Sequence, residues 1–177
     1  HFGLPVRSQK TQDRILKHKK PEIPEPKNLT ETLQNILGRL NIASFEFISR
    51  QYDHVVLGNS VLLPIQGRGR VNGDASVIRP VYSSKKGVVL SQGYYPSYSD
   101  IDCYHMAASS LDTAVRNAVA AGANPQYLAI LDNFCWCSSN DPSRLWQLKQ
   151  AAKACYDYAT IYQTPFISGK DSMFNDF

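Results

Sequence analysis

Apolar positions change period twice along this chain. Leu33, Ile36, Leu37 and Leu40 recur at helical spacing behind Asn28 and Glu31, which stand at capping-box separation, so a short amphipathic helix is predicted over 28–40. From Tyr52 the pattern shortens to β-branched runs at 54–57, 61–65, 75–82 and 87–90, punctuated by Gly, Asn and Ser, which predict four strands. Two longer helical stripes follow. The first covers 101–121 through Met106, Leu111, Ala114, Val115, Ala118 and Val119 and stops at Gly122; its alanines suit close approach to a sheet. The second opens at Asp141-Pro142, a cap followed by proline at the first helical position. It continues through Leu145, Leu148, Ala152, Cys155, Ala159 and Tyr162 and ends at Thr164-Pro165. A strand over 127–134 separates these helices, and a short buried strand over 165–167 follows them. The order strands, helix, strand, helix, strand predicts a mixed α/β (α+β) layer structure, with both long helices on one face of a sheet.

At 177 residues and 43% hydrophobic content the chain can bury one ordinary core and is too short for two full domains. Charge then separates the tail from the body. Residues 1–30 hold seven Lys/Arg against three Asp/Glu, and residues 31–177 hold twelve against twelve, so the net charge of +4 lies at the N-terminal side. A neutral body argues against nucleic acid as a partner, since polyanion binding needs a basic face on the folded part. Residues 1–27, with four prolines and no apolar period, read as a solvated connector. No apolar run reaches a membrane span, and no signal-peptide core is present, so a soluble protein is expected. Cys103, Cys135, Cys137 and Cys155 form no Cys-x-x-Cys pair and read as the reduced thiols of a cytoplasmic protein.

Three polar clusters stand at element ends. Gly67, Gly69 and Gly73 alternate with Arg68 and Arg70 ahead of Asp74, a set able to offer backbone amides and guanidinium to phosphate and a carboxylate to a divalent cation. The spacing matches neither the dinucleotide fingerprint nor the Walker loop, and by itself it fits a flexible hairpin better. Thr113, Arg116 and Asn117 share one face of the first long helix; Asn117 could ligate Mg²⁺, and an Asp112–Arg116 pair on a solvated face is the plainer reading. Ser168-Gly169-Lys170-Asp171-Ser172, directly after the predicted buried strand, suits phosphate equally as it suits a surface turn. Asp100 and Asp102 precede the first long helix as capping acids. His1, His18, His54 and His105 have no Ser or Cys spacing that marks a nucleophile with its base.

Taken together, residues 49–54, 69–80, 98–102, 131–136 and 168–176 carry motifs that resemble the phosphoribosylformylglycinamidine synthase family over about 45–177. The likeness falls on the N-terminal half of the second of two aminoimidazole-ribonucleotide-synthetase-like units. It implies a PurM N-terminal-domain-like fold that pairs through its sheet, with 1–44 as the connector from a preceding domain and 45–177 as the ATP-site domain, a fragment of a longer chain. It also implies a ligase reaction of purine biosynthesis in which ATP phosphorylates an amide oxygen of formylglycinamide ribonucleotide and ammonia from glutamine displaces the phosphate.

What the resemblance implies for residues is narrower. Asp74 and Asn117 match Mg²⁺ positions of an auxiliary nucleotide site, and Gly69, Arg70, Gly73, Lys170, Asp171 and Ser172 fall on its phosphate side, with ATP or ADP as the ligand. The family commonly has Glu one helical turn before the Asn; Thr113 stands there and brings no negative charge, which supports an alternative in which the domain is a structural pairing module with a vestigial site. The family's catalytic histidine and glutaminase cysteine have no counterpart here, so an inactive isolated fragment is expected. Its implied partners are the C-terminal domain, the first-copy N-terminal domain, the glutaminase and, for the fragment alone, a second copy of itself.

Overall fold

In this computed structural model the described residues are 22–52 and 55–176; the first 21 residues of the predicted connector, His54 of the first predicted strand, Asp53 and Phe177 lie outside them. The described residues fall into two compact units, one of 22–92 with 114–123 and the other of 93–113 with 124–176.

The first unit opens with α1 (Leu29–Leu37), capped by Asn28, whose Oδ1 accepts from the Thr30 and Glu31 amides at 3.0 and 3.2 Å. The cap is as predicted, but the helix ends at Gly38, and Leu33, Ile36 and Leu37 of its apolar stripe are exposed. A single turn, α2 (Glu46–Ser49), follows. Five strands come next: β1 (Ser60–Leu62), β2 (Ile65–Gln66), β3 (Val71–Asn72), β4 (Ala75–Ile78) and β5 (Val88–Ser91). β1, β4 and β5 form an antiparallel sheet in the order β1-β4-β5, and β2 and β3 form a separate antiparallel hairpin.

Local chemistry explains where these strands depart from expectation. Residues 55–57 are not a strand, because Leu57 and Gly58 turn with positive φ of 63° and 61°. The run predicted over 61–65 is cut by Pro64, which has no N–H for a ladder, and so becomes β1 and β2. β4 stops at Ile78 rather than Tyr82, since Pro80 cannot donate and the chain then turns through a Ser84 to Val81 bond of 3.0 Å.

The second unit contains β6 (Ile130–Cys135), α4 (Pro142–Tyr162) and β7 (Phe166–Ser172). α3 (Cys103–Ala120) contributes residues 103–113 to this unit and the remainder to the first. Asp102 caps α3 by accepting from the His105 amide at 2.7 Å. Asp141 caps α4 by accepting from Ser143 and Arg144, and Gln163 closes it in the left-handed region at φ 53°. The strand predicted from 127 begins only at Ile130, because Asn124-Pro125 start a 3₁₀ turn through Tyr127, with Asn124 Oδ1 accepting from Gln126 at 3.1 Å.

Ala107 and Ala108 meet another helix, while Ala114 of the predicted stripe lies by β5, its carbonyl accepting from Ser91 Oγ. Ala107 and Ala108 of α3 pack on Ala151 and Ala154 of α4, and Tyr104, Met106, Phe134, Trp136, Cys155 and Tyr158 close around them. Small side chains let the two backbones approach, and the buried stripe of α4 is therefore 151/154; Ala152, expected in the core, is exposed. Polar ties flank the seam. Tyr104 donates to Asp157 at 2.8 Å, Lys153 pairs with the same carboxylate, and Tyr162 donates to Asp112.

β6 and β7 are parallel and aligned Leu131 with Ser168, Asn133 with Lys170 and Cys135 with Ser172. Burial alternates along β6, with Ile130, Asp132 and Phe134 covered and Leu131, Asn133 and Cys135 bare. β7, read from sequence as buried, is exposed from Phe166 through Asp171. Among the described residues no helix is long and apolar enough to cross a membrane.

Candidate functional site

In the first unit, a concavity of about 280 Å³ lies where the β2–β3 hairpin delivers the chain to β4, lined by Pro64, Gly73, Asp74 and Ala75 with Leu90, Ser91 and Gln92. Three local features build it. The Gly73 amide donates to the Pro64 carbonyl at 2.7 Å, and a Cβ at 73 would stand 3.3 Å from the Leu63 and Ala75 carbonyls, so glycine lets the chain fold back on itself here. Ala75, buried, pairs with Ser91 across the sheet and places exposed Asp74 at the mouth. The second half of α3 then closes the β5 end, with Ser91 Oγ donating to Ala114 O at 2.6 Å and Asn117 Nδ2 reaching Gln92 O at 3.5 Å.

Asp74 lines this pocket directly, whereas Asn117 is outside its lining and reaches only the backbone carbonyl of Gln92, a lining residue. The other sequence candidates are placed differently. Arg70 sits at the hairpin end with φ 51°, and its Nη1 donates to Glu46 Oε2 at 3.1 Å while Glu46 Oε1 holds Arg50 Nε at 2.9 Å. Gly69 shares that turn, and neither it nor Arg70 lines the concavity. The guanidinium expected to grip phosphate is occupied by a carboxylate.

Lys170, Asp171 and Ser172 belong to the second unit, and they lie on β7 itself, whereas a loop was expected. The strand persists because β6 supplies partners up to Cys135–Ser172, and the Trp136 amide then donates to Ser172 O at 2.8 Å. Lys170 Nζ bonds Ser172 Oγ, and Asn175 Nδ2 donates to Ser172 O at 2.9 Å. Gly169 sits directly across from Asp132, whose carboxylate occupies the space that a Cβ at 169 would fill. Sequence reasoning passed over Asp132, although it stands inside a quoted motif; only the strand register shows that the glycine of Ser168-Gly169-Lys170 serves this acid.

Thr113 is committed as well. Its hydroxyl lies 3.0 Å from that of Tyr95, whose ring stacks on Tyr98 at 4.8 Å between centroids. Of the thiols, Cys103 and Cys155 are pushed up to about 11 by burial, with the Asp102 charge adding for Cys103 and the Asp132 charge for Cys155.

The donor chemistry can be tested against a metal nucleotide. Among the described residues no group of three or more His, Cys, Asp or Glu is placed to hold a metal ion. Mg²⁺ takes six oxygens and commonly keeps one or two protein carboxylates with waters and phosphate oxygens completing its shell. Asp74 and Asn117 offer a carboxylate and an amide oxygen, donor types that Mg²⁺ accepts, but only Asp74 lines the concavity. The volume is near the lower end of small-ligand pockets, about 300 Å³.

Comparison with known proteins agrees with this fold. The chain is 32% identical over 165 residues to phosphoribosylformylglycinamidine synthase subunit PurL of Thermoplasma volcanium, covering 90% of this chain and 21% of that protein. It is 35% identical over 153 residues to the same subunit of Alkaliphilus metalliredigens, covering 86% of this chain and 19% of the relative. The chain thus spans about a fifth of the length of these curated relatives. Among solved structures it resembles PurLQS from Thermotoga maritima with a TM-score of 0.62 at 22% identity, over 93% of this chain and 24% of that one. It also resembles Thermotoga maritima PurL complexed with AMPPCP, with a TM-score of 0.60 at 21% identity, over 93% of this chain and 25% of that one. These likenesses show a mixed α/β, PurM N-terminal-like fold in which α3 and α4 pack together. The model of the family "AIR synthase related protein, N-terminal domain" matches residues 72–175, more than half of the sequence, and this chain belongs to that family.

Proposed function

We propose that this chain supplies a nucleotide-site half-domain to an ATP- and glutamine-dependent ligase that converts formylglycinamide ribonucleotide to formylglycinamidine ribonucleotide in purine biosynthesis. One observation carries the reading: Asp74, Gly73 and Gln92 line a single concavity, and Asn117 is bonded to the Gln92 carbonyl. The likeness to PurL subunits supports the reaction, and the likeness to PurL complexed with AMPPCP supports the ligand.

In this reading Asp74 and Asn117 would share a Mg²⁺ ion with the phosphates of a nucleotide held at an auxiliary site, where the ion would screen the phosphate charge, and no residue of this chain is assigned a catalytic role. Gly73 keeps side-chain bulk away from the phosphates. Gly69 and Arg70 approach them only if Arg70 leaves Glu46. Lys170, Asp171 and Ser172 are the phosphate-side groups of the second unit. We assign 1–44 to a connector with a short helix, 45–177 to the domain, and the domain to the second of two such units in a cytoplasmic enzyme. The C-terminal domain, a first-copy N-terminal domain and a glutaminase complete the activity, and the chain alone is inactive.

A second reading has one observation behind it. The Thr113 hydroxyl is engaged by Tyr95 and adds no charge to Asn117's helix face, as in a structural pairing module whose site is vestigial. Calorimetric titration of the chain with Mg²⁺ and ATP separates the two. Saturable heat that disappears in Asp74→Asn supports the first; no heat, in the chain or in a longer chain carrying the C-terminal domain, refutes it.

A further inference from the structure

We infer that Asn72 is a positioning residue that fixes Gly73 and Asp74 in the pocket by clasping the hairpin to the segment before α2. The side-chain amide of Asn72 is used in both directions. Its Oδ1 accepts from the Phe45 amide at 2.8 Å, and its Nδ2 donates to the Ala43 carbonyl at 3.2 Å. This is the pairing of a strand edge, made by one side chain with a stretch almost thirty residues earlier. Ser44 Oγ donates to Arg70 O at 2.5 Å between these bonds, and Glu46 holds Arg70 just beyond them.

The hairpin needs an external anchor. β2 and β3 are two residues each, an isolated pair that is marginal in water, and Arg70 adopts a left-handed conformation that non-glycine residues adopt at a cost. A change of one residue's direction after Asn72 moves Gly73, whose amide must meet the Pro64 carbonyl, and Asp74 with it. Asn72 itself does not line the concavity; it acts through its two successors. Asparagine suits the clasp because one short side chain offers an acceptor and a donor on two separate atoms, one for each backbone group. The inference rests on the metal-nucleotide reading only for what fills the pocket.

Amide exchange followed by NMR on the chain tests it. In Asn72→Ala the Gly73 amide is expected to exchange about thirtyfold faster, as for the loss of two hydrogen bonds of ordinary net strength, while Val77 and Val89 in the β4–β5 ladder keep their rates. Asn72→Asp, which keeps the acceptor but sets a carboxylate oxygen against the Ala43 carbonyl, is expected to exchange at least as fast as Asn72→Ala, and serves if the alanine variant does not fold. A Gly73 rate unchanged from wild type overturns the inference, as does a rise shared equally by Val77 and Val89. Titration with Mg²⁺ and ATP is run on the same samples, with about tenfold weaker binding expected in Asn72→Ala. Absence of binding in wild type would sink the nucleotide reading, while the Gly73 rate still decides the role of Asn72.

Discussion

Gly169 of β7 lies directly across the parallel pair from Asp132 of β6, and the acid's carboxylate fills the volume that any side chain at 169 would need. The glycine is therefore required for space. Replacing it with alanine forces the Asp132 head group to turn aside, and an off-rotamer side chain costs about 0.5–1.5 kcal/mol. Gly169→Ala should lower the denaturant midpoint accordingly. Asp132→Ala in the same chain should recover most of the loss, giving a strongly non-additive cycle. Additive losses would show that the two residues do not share the space.

Cysteine reactivity separates by burial. Cys135 is exposed on β6, whereas Cys103 and Cys155 are held up to about 11 by burial. The thiolate is the reactive form, so iodoacetamide at pH 8 should label Cys135 first and leave Cys103 and Cys155 unmodified until the chain unfolds. Mass mapping of the labelled peptides checks this. A raised folded value also means that the buried Cys103 and half-buried Cys155 thiols favour folding below about 9, the ordinary thiol value, and lose that contribution as pH rises towards 11.

The α3–α4 seam should be acid-sensitive. The bond from Lys153, then that from Tyr104, holds the Asp157 carboxyl below its ordinary value. A lowered folded value lends stability above the ordinary carboxylate range and loses it as pH falls through the lowered one. Denaturant melts of wild type from pH 7 to pH 2 should therefore fall more steeply than those of Asp157→Asn. The bond to Asp157 also raises Tyr104, whose contribution is present below about 10, the ordinary tyrosine value, and lost at higher pH.

Thr113 offers a gain-of-function test of the pocket. Glutamate at 113 would bring a carboxylate one helical turn from Asn117 and give up the Tyr95 hydroxyl contact. Thr113→Glu should bind Mg²⁺ with ATP at least about tenfold tighter, since ligand charge sets affinity at such oxygen sites. Equal binding in both forms, read by calorimetry, would place the metal away from this helix face.

The β4–β5 ladder pairs Ser76 with Leu90 and Ile78 with Val88 on one face, and Leu90 and Val88 remain 55% and 46% exposed. Apolar sheet surface of this kind promotes association. Light scattering should report a dimer of the chain at high concentration, and Leu90→Lys should return it to monomer. A wild-type monomer under the same conditions would refute pairing through the sheet.

Helix boundaries were legible from sequence because capping is local. Asn28, Asp102 and Asp141 each bond amides two or three residues ahead, and such bonds depend on nothing distant. Strands were less legible. Pro64 and Pro80 carried the signal that divides the 61–65 run and ends β4, yet alternation of apolar residues outweighed it in the reading. Of the candidate site, Asp74 and Gly73 were singled out by the resemblance, since the cluster by itself fits a flexible hairpin, while the engagement of Arg70 by Glu46 was not legible, because partners twenty-four residues apart leave no local spacing.

By itself the amino-acid order determined the two long helices, their starts and stops, the presence of a glycine-rich hairpin ahead of an acid, and the family to which these motifs point. Tertiary structure alone decided which face each element buries and which polar groups are already spoken for. Alanine at 151 rather than 152 enters the core because the register of two helices in contact selects it, and Gly169 is needed because Asp132 arrives opposite it. Caps and turns are closed by atoms a few bonds away, whereas packing and side-chain partnership depend on segments that meet only after the chain has folded.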